Sequence, residues 1–163
     1  MRVIGLAGWS GSGKTTLVAK LIPVLVARAV TVSTVKHAHH AFDVDQPGKD
    51  SWVHRQAGAR EVLVASANRF ALMHELRGAP EPELDALLAR LAPVDLVIVE
   101  GWKKSAYPKI EIHRPELGKP VLHPDDDRIV ALASPAPLSR LVLPWLPLDD
   151  PERIADFILG LPE

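Results

Sequence analysis

The feature that most constrains this chain is the segment 8–15, Gly-Trp-Ser-Gly-Ser-Gly-Lys-Thr. It fits G-x-x-x-x-G-K-[ST] without a mismatch, follows an apolar run at 3–7, and is followed by apolar residues at helical spacing. A turn of this composition curls successive backbone N–H groups around an oxyanion, and the next helix adds its positive dipole end. The motif therefore predicts a phosphate-binding loop between a buried strand and a helix.

The residue types in this loop indicate a nucleoside triphosphate as the ligand. The Lys14 ammonium would reach the β- and γ-phosphates, the Thr15 hydroxyl would be a ligand of Mg²⁺, and Thr16 would contact the α-phosphate. The predicted nucleotide-binding residues are Gly8, Trp9, Ser10, Gly11, Ser12, Gly13, Lys14, Thr15 and Thr16.

Apolar strands alternate with amphipathic helices along the rest of the chain. This order predicts an α/β fold of the P-loop NTPase type, with a mostly parallel, twisted sheet flanked by helices. Short apolar runs at 61–65 and 70–74 predict a hairpin over 61–74 that makes one part of the sheet antiparallel. The alternating segment 109–113 predicts a strand near an edge of the sheet.

The helix signals are clear at four places, one of which is Pro82-Glu83, followed by Leu84, Leu87, Leu88 and Leu91 on one face. A stripe of leucines and isoleucines predicts a helix over 14–28, which Pro23 should kink or shorten. Ser51 is expected to cap a short helix that runs to 57. Asp150 and Pro151 predict the cap and the first residue of the last helix.

Size and composition exclude several classes of protein. The 163 residues are enough for a single domain over 1–163, and 47% apolar residues argue against a disordered chain. With 19 basic and 20 acidic residues no overall positive field recruits nucleic acid or an anionic membrane. The absence of Cys excludes disulfides and thiolate chemistry. No leader pattern or long apolar span is visible, so a cytoplasmic location is expected.

One acidic residue, Glu100, directly follows the most apolar strand, 96–99. In a P-loop protein this position holds the carboxylate that binds Mg²⁺, often through water. The Glu side chain is long enough to orient an attacking water instead. Thr15 and Glu100 are the predicted metal ligands.

The polar loop 36–50 is the second candidate region. Its three histidines within residues 37–40 raise the hypothesis of a transition-metal site, although no Cys accompanies them. Alternatively, Asp43 or Asp45 acts as a switch carboxylate near Mg²⁺ or the attacking water, while Lys36 or His37 approaches phosphate. The predicted catalytic residues are Lys14, Asp45 and Glu100.

The base of the nucleotide is not determined by these residues. The guanine-reading motif N-K-x-D is absent, and Asn68-Arg69-Phe70-Ala71 offers only its Asn.

Several segments, taken together and in this order, resemble the adapter family of molybdopterin-guanine dinucleotide biosynthesis, MobB. They are GWSGSGKTTL, VKHAHHAFDVDQPGKDSW, QAGAREVLVAS, RFALMHE, DLVIVEGWKK, PKIEIHR and IVALAS. The resemblance implies a GTP-binding protein with weak GTPase activity. It also implies a homodimer that assists the guanylyltransferase joining GMP to molybdopterin.

Carried onto this sequence, the resemblance makes residues 8–16 the nucleotide site and gives Mg²⁺ to Thr15 and Glu100. It places Asp45 and Asp50 in a mobile loop, and Arg69 on a family motif. Trp102 stands where the family commonly has Phe. Pro135 stands where relatives commonly have Asp, a natural reader of guanine.

Three other functions stay open from the residues. A small-molecule kinase could use the same phosphate-binding loop 8–15, called the cradle below, with Arg55, Arg60 or Arg69 supplying charge. A metal-delivery GTPase would use the His37–His40 loop. A pure interaction protein would keep the nucleotide as a structural element.

Overall fold

The computed structural model describes residues 1–38, 42–139 and 141–162. The chain forms two compact units, which we call the sheet unit (Met1–His37 with Leu87–Glu163) and the hairpin unit (Ala38–Ala86). The expected single domain over 1–163 stays a prediction. The strands are β1 (Arg2–Ala7), β2 (Val32–Lys36), β3 (Glu61–Ala65), β4 (Phe70–His74), β5 (Leu96–Glu100), β6 (Lys109–Ile112), β7 (Ile129–Ser134) and β8 (Trp145–Pro147). The helices are α1 (Lys14–Ala27), α2 (Asp50–Gln56), α3 (Leu84–Leu88) and α4 (Pro151–Gly160).

Six described strands make the sheet of the sheet unit, in the order β2-β5-β1-β6-β7-β8. Every neighbouring pair runs parallel. β1 therefore lies between β5 and β6, with Gly5 opposite Val99 on one side and Lys109 on the other. The predicted α/β class with a mostly parallel sheet is confirmed.

The two faces of this sheet differ in chemistry. One face carries the apolar core, in which α1 and α4 pack their leucines and isoleucines on the strands. On the other face of β6, Lys109 and Glu111 are buried, with 2% and 1% of their surface exposed. Buried charges are stable only when they are paired, and both are. Lys109 Nζ lies 2.9 Å from Asp126 Oδ2, and the Glu111 carboxylate accepts the backbone N–H groups of Leu122 and His123.

The strand predicted at 109–113 is confirmed, but its expected place near an edge of the sheet is wrong, and this polar face explains why. The alternation of polar and apolar residues suggested a strand near an edge, but β6 is buried between β1 and β7. Its polar residues face loops that supply their hydrogen-bond partners, and they do not face water. The short strand β8 was missed, because three residues containing a Pro carry too little periodicity to be recognised.

The helices of the sheet unit largely follow the predictions. α1 continues four residues beyond Pro23, so the expected shortening does not occur. The Asp150 side chain caps α4 by accepting the N–H of Arg153 at 3.0 Å, which confirms the predicted cap. Arg28, just after α1, binds Glu152 and Asp156 of α4 and so joins the two helices.

The hairpin unit contains β3 and β4, which pair antiparallel. Glu61 lies opposite His74 at one end of the ladder, and Ala65 lies opposite Phe70 at the other end. The hairpin itself is confirmed, but it is a separate two-stranded sheet and not an antiparallel part of the large one. Ser51 does not cap α2, which begins at Asp50 after Lys49. Its hydroxyl instead donates to Asp45 Oδ1 at 2.8 Å.

One arginine organises the acidic loop of this unit. Arg55, on α2, pairs with Asp43 at 2.7 Å, Asp45 at 3.3 Å and Glu75 at 2.7 Å. The hydrogen bonds from Arg55, with a further one from the Asp45 backbone N–H, lower the pKa of Asp43 from 3.8 to about 2. The ion cluster thus joins the 43–45 loop to α2 and to Glu75, the residue after β4.

We predict that Arg55→Gln returns the pKa of Asp43 from about 2 towards 3.8. Because the folded-state pKa is depressed, the Asp43 contribution to stability is present above pH 3.8 and is lost as the pH falls towards 2. The measurement is a carboxyl ¹³C NMR titration, with the exposed Arg60→Gln as the matched control. An Asp43 pKa that stays near 2 in Arg55→Gln would contradict the assignment.

Candidate functional site

The phosphate-binding loop lies where β1 ends and α1 begins, at the carboxyl edge of the sheet. Gly8 must be a glycine, because its φ is +151° and a Cβ there would lie 2.5 Å from the Ile112 carbonyl oxygen. α1 starts at Lys14 after Gly13, whose left-handed φ of 98° turns the chain into the helix. The predicted strand–loop–helix arrangement is therefore present.

The Lys14 side chain folds back over this loop. Its ammonium donates to the carbonyl oxygens of Gly8 and Trp9, each at 3.0 Å. Burial lowers the pKa of Lys14, and the positive charges of Lys103 and Lys36 lower it further, while Glu100 opposes the shift. A cation that is partly desolvated and surrounded by other cations is stabilised by an arriving anion. This is the electrostatic environment expected of a phosphate site.

Thr15 and Glu100 meet at the other end of the loop. The Thr15 hydroxyl lies 3.1 and 3.3 Å from the two carboxylate oxygens of Glu100. Glu100 is placed there because β5 pairs with β1 in parallel register and both strands end at the same edge. A hydroxyl and a carboxylate offer the hard oxygen ligands that Mg²⁺ prefers. The donor set thus fits a magnesium ion, as the sequence predicts.

Ser12 supports an oxyanion site in a different way. The residue is 1% exposed, and among the described residues its hydroxyl has no hydrogen-bond partner. Buried hydroxyls rarely stay unpaired, and an orphan often marks a bound water or ligand. Ser10, Gly11, Thr15 and Thr16 are exposed to solvent, so the cradle is open to a ligand.

The segment after Glu100 is packed tightly against the end of β2. A Cβ on Gly101, whose φ is +103°, would lie 2.7 Å from the Cβ of His37. The His37 N–H donates to the Glu100 carbonyl at 2.8 Å, and its ring lies 4.8 Å from the Trp102 ring. His37 therefore fixes the backbone that presents Glu100.

The Trp9 side chain, in the phosphate-binding loop, makes one hydrogen bond and two cation–π contacts. Its indole N–H donates to the Pro120 carbonyl at 2.8 Å. The ammonium groups of Lys103 and Lys119 lie 4.8 and 5.7 Å from its ring centre. These cation–π contacts hold two positive charges beside the cradle.

Arg114 is a candidate that the sequence prediction missed. It follows β6, and its Nε donates to the Ser12 carbonyl at 3.1 Å. The signal was a basic residue just past the end of a strand. It went unused because the sequence placed β6 near an edge and gave no strand order that would bring it beside β1.

The other predicted residues lie in the hairpin unit. Asp45 is engaged by Ser51 and Arg55, and its catalytic role stays a prediction. Asp50 is the exposed first residue of α2, and Arg69 lies in the turn between β3 and β4. Arg55, one of the three arginines that the kinase hypothesis could use, is bound by three carboxylates.

The histidine hypothesis falls largely outside the described residues, since His39 and His40 are not among them. In the part of the chain that the structure describes, no group of three or more His, Cys, Asp or Glu side chains could hold a metal ion. No described helix has the length and apolar character needed to cross a membrane.

Comparison with known sequences is consistent with this site. The model of the family "Molybdopterin guanine dinucleotide synthesis protein B" matches residues 3–135. The molybdopterin-guanine dinucleotide biosynthesis adapter protein of Escherichia coli is 42% identical over 160 residues, covering 96% of this chain and 91% of that protein. The protein of the same name from Haemophilus influenzae is 44% identical, with 96% and 86% covered.

Solved structures agree with the sequences. A crystal structure of molybdopterin-guanine biosynthesis protein B superposes with a TM-score of 0.76 at 31% identity, covering 97% of this chain and 98% of that one. A MobB homologue from Bacillus stearothermophilus gives 0.71 at 27% identity, with 98% and 97% covered. On the family match and these relatives, the chain belongs to the MobB family, the adapter proteins of molybdopterin guanine dinucleotide biosynthesis.

Proposed function

We propose that this adapter binds GTP with Mg²⁺ and hydrolyses it slowly while it assists the guanylyltransferase that attaches GMP to molybdopterin. The observation that carries the proposal is the meeting of Lys14, Thr15 and Glu100 at one loop. The relatives' names support the place in biosynthesis. The guanylyltransferase is therefore the proposed partner, with molybdopterin as its substrate.

In this proposal each residue has a defined task. The Lys14 ammonium exchanges its carbonyl partners for phosphate oxygens and stabilises the negative charge that develops in the transition state. Thr15 and Glu100 would hold Mg²⁺, which would neutralise negative charge on the phosphates. As the sequence predicts, a carboxylate, that of Glu100 or of Asp45, would orient the attacking water.

Turnover is slow in this proposal because the chain needs its partner to complete the site. In GTPases of this type, a residue supplied by a partner accelerates hydrolysis by orders of magnitude. The guanylyltransferase or a second protomer is the natural source of that residue.

We predict that calorimetry detects GTP binding in the presence of Mg²⁺, and that Lys14→Ala weakens it by about tenfold to a hundredfold. The reason is the loss of a charge-assisted contact of about 1.5–3 kcal/mol. Lys20→Ala, an exposed position on the same helix, is the matched control and should bind as the wild type does. Equal binding by wild type and Lys14→Ala would contradict a nucleotide in this cradle.

We predict that Glu100→Gln lowers Mg²⁺-dependent phosphate release by about tenfold or more, equivalent to about 1.4 kcal/mol in the barrier. The amide keeps the size of the side chain but removes the charge that holds the metal. Asp45→Asn, measured in parallel, separates the two candidate carboxylates. If neither substitution changes turnover, both assigned roles are wrong.

The proposed homodimer has a candidate surface in the hairpin unit. Leu63, Phe70 and Leu72 lie on one face of the hairpin and are 60%, 72% and 48% exposed. Among the described strands, β3 and β4 pair only with each other, so both outer edges are unpaired. A two-stranded sheet with an exposed apolar face is marginal alone and gains stability by pairing. A second copy of the hairpin offers the matching surface.

We predict that wild-type protein sediments as a dimer and that the double substitution Leu63→Asp, Leu72→Asp shifts it to monomer. Two carboxylates on the apolar face would lose their hydration on association. Analytical ultracentrifugation over a concentration series measures the shift, and Val142→Asp, an 87% exposed site in the sheet unit, is the control. A double variant that remains dimeric would place the interface elsewhere.

A further inference from the structure

We propose that Arg114 reads the base of the bound nucleotide, and that its guanidinium favours guanine by donating to the O6 and N7 acceptors. The inference rests on the proposed function, since it requires a nucleoside triphosphate in the cradle. It adds a residue that determines which nucleotide the chain selects.

The register of the sheet places Arg114 beside the cradle. β6 pairs with β1 on the side opposite β5, with Ala7 opposite Glu111. The two strands end at the same edge, so the chain leaves β6 next to the loop that leaves β1. His113 still belongs to the ladder, because its N–H donates to the Ala133 carbonyl at 2.9 Å. Arg114 is the next residue.

The guanidinium is held in place at this edge. Arg114 Nε donates to the Ser12 carbonyl at 3.1 Å. A Cβ built on Gly13 would lie 3.4 Å from Nε and 3.5 Å from Nη2, so the planar group lies against the glycine. The half-buried side chain is therefore fixed beside the last turn of the loop before α1.

Most of its hydrogen-bonding capacity is unused. A guanidinium has five N–H donors, and only the Nε donor is engaged by the described residues. No described carboxylate lies within ion-pair distance of Arg114, whereas Arg28 and Arg55 are each paired with two or more. A fixed planar cation with free donors is suited to a planar ligand that offers acceptors.

The direction of the triphosphate decides which part of the nucleotide meets this group. The metal-binding pair of Thr15 and Glu100 lies on the β5 side of β1, so the γ-phosphate end points there. The nucleoside then leaves the cradle on the other side, which is the β6 side. Arg114 lies on that side.

Guanine is the purine that this group recognises best. Guanine presents two adjacent acceptors, O6 and N7, to which an arginine donates in a bidentate manner. Adenine presents an amino donor in place of O6, which would face the N–H groups of the guanidinium. The segment 135–139 after β7, Pro-Ala-Pro-Leu-Ser, contains no carboxylate that could read the opposite edge of guanine. Discrimination between guanine and adenine on the O6/N7 edge needs no such carboxylate.

The experiment compares dissociation constants by calorimetry for wild type, Arg114→Gln and Arg114→Lys, with Mg²⁺ present. The probes are GTP, ITP, 7-deaza-GTP, ATP and inorganic tripolyphosphate. ITP keeps O6 and N7 and lacks only the amino group, 7-deaza-GTP lacks N7, and tripolyphosphate has no base. Arg153→Gln, an exposed arginine on α4, is the matched control, and thermal melts verify that the variants are folded.

We expect wild type to bind GTP and ITP about tenfold or more tightly than ATP, with 7-deaza-GTP weaker than GTP. Arg114→Gln should reduce GTP and ITP affinity by about tenfold, which is about 1.4 kcal/mol, and leave tripolyphosphate affinity unchanged. Arg114→Lys keeps the charge but loses the planar pair of donors, so it should bind GTP more weakly and keep only part of the preference for guanine. If Arg114→Gln does not fold, Arg114→Lys and the wild-type comparison of GTP with 7-deaza-GTP still decide the question.

Two results would overturn the proposal. Equal weakening of GTP and tripolyphosphate in Arg114→Gln would assign Arg114 to the cradle and not to the base. Unchanged selectivity in both variants would assign guanine recognition to other residues. Failure of wild type to bind any probe, tripolyphosphate included, would instead refute the proposed nucleotide site itself.

Discussion

The pairing of β1 between β5 and β6 decides what surrounds the phosphate-binding loop. Because both neighbours run parallel to β1, their carboxyl ends lie beside the loop, Glu100 on one side and Arg114 on the other. The carboxylate that fits a metal and the guanidinium that we propose to contact the base thus lie on opposite sides of β1. The close approach of Gly8 to the Ile112 carbonyl shows how tightly β1 and β6 are held at this edge.

The polar face of β6 fixes a loop beside this site. Lys109 donates to the carbonyls of Lys103 and Ser105 at 2.8 and 2.9 Å and pairs with Asp126. These bonds hold the loop after β5, which carries Lys103 over the Trp9 ring. Burying a lysine is costly unless its donors are satisfied, and here three oxygens satisfy them. The same three bonds fix the position of a loop at the rim of the site.

Local signals in the sequence were sufficient to locate the cradle and Glu100 at the ends of their strands, because each position depends on one strand and the few residues directly after it. The strand order was not accessible in this way, since it depends on contacts between distant segments. For this reason β6 was predicted near an edge, the hairpin was assigned to the large sheet, and Arg114 was overlooked. The alternation of Lys109 and Glu111 imitates a solvated face, and only the positions of Asp126 and Leu122 reveal that it is buried.

His37 lies at the boundary between the two units of the chain. The nucleotide-binding candidates of the loop and Glu100 belong to the sheet unit, while the exposed apolar face belongs to the hairpin unit. His37 is the last residue of the sheet unit before the chain continues at Ala38. Its N–H is bonded to the Glu100 carbonyl and its Cβ is packed on Gly101. A shift of the Glu100 backbone therefore displaces the residue at which the chain leaves the sheet unit, and a glycine at 101 is what allows the two segments to be this close.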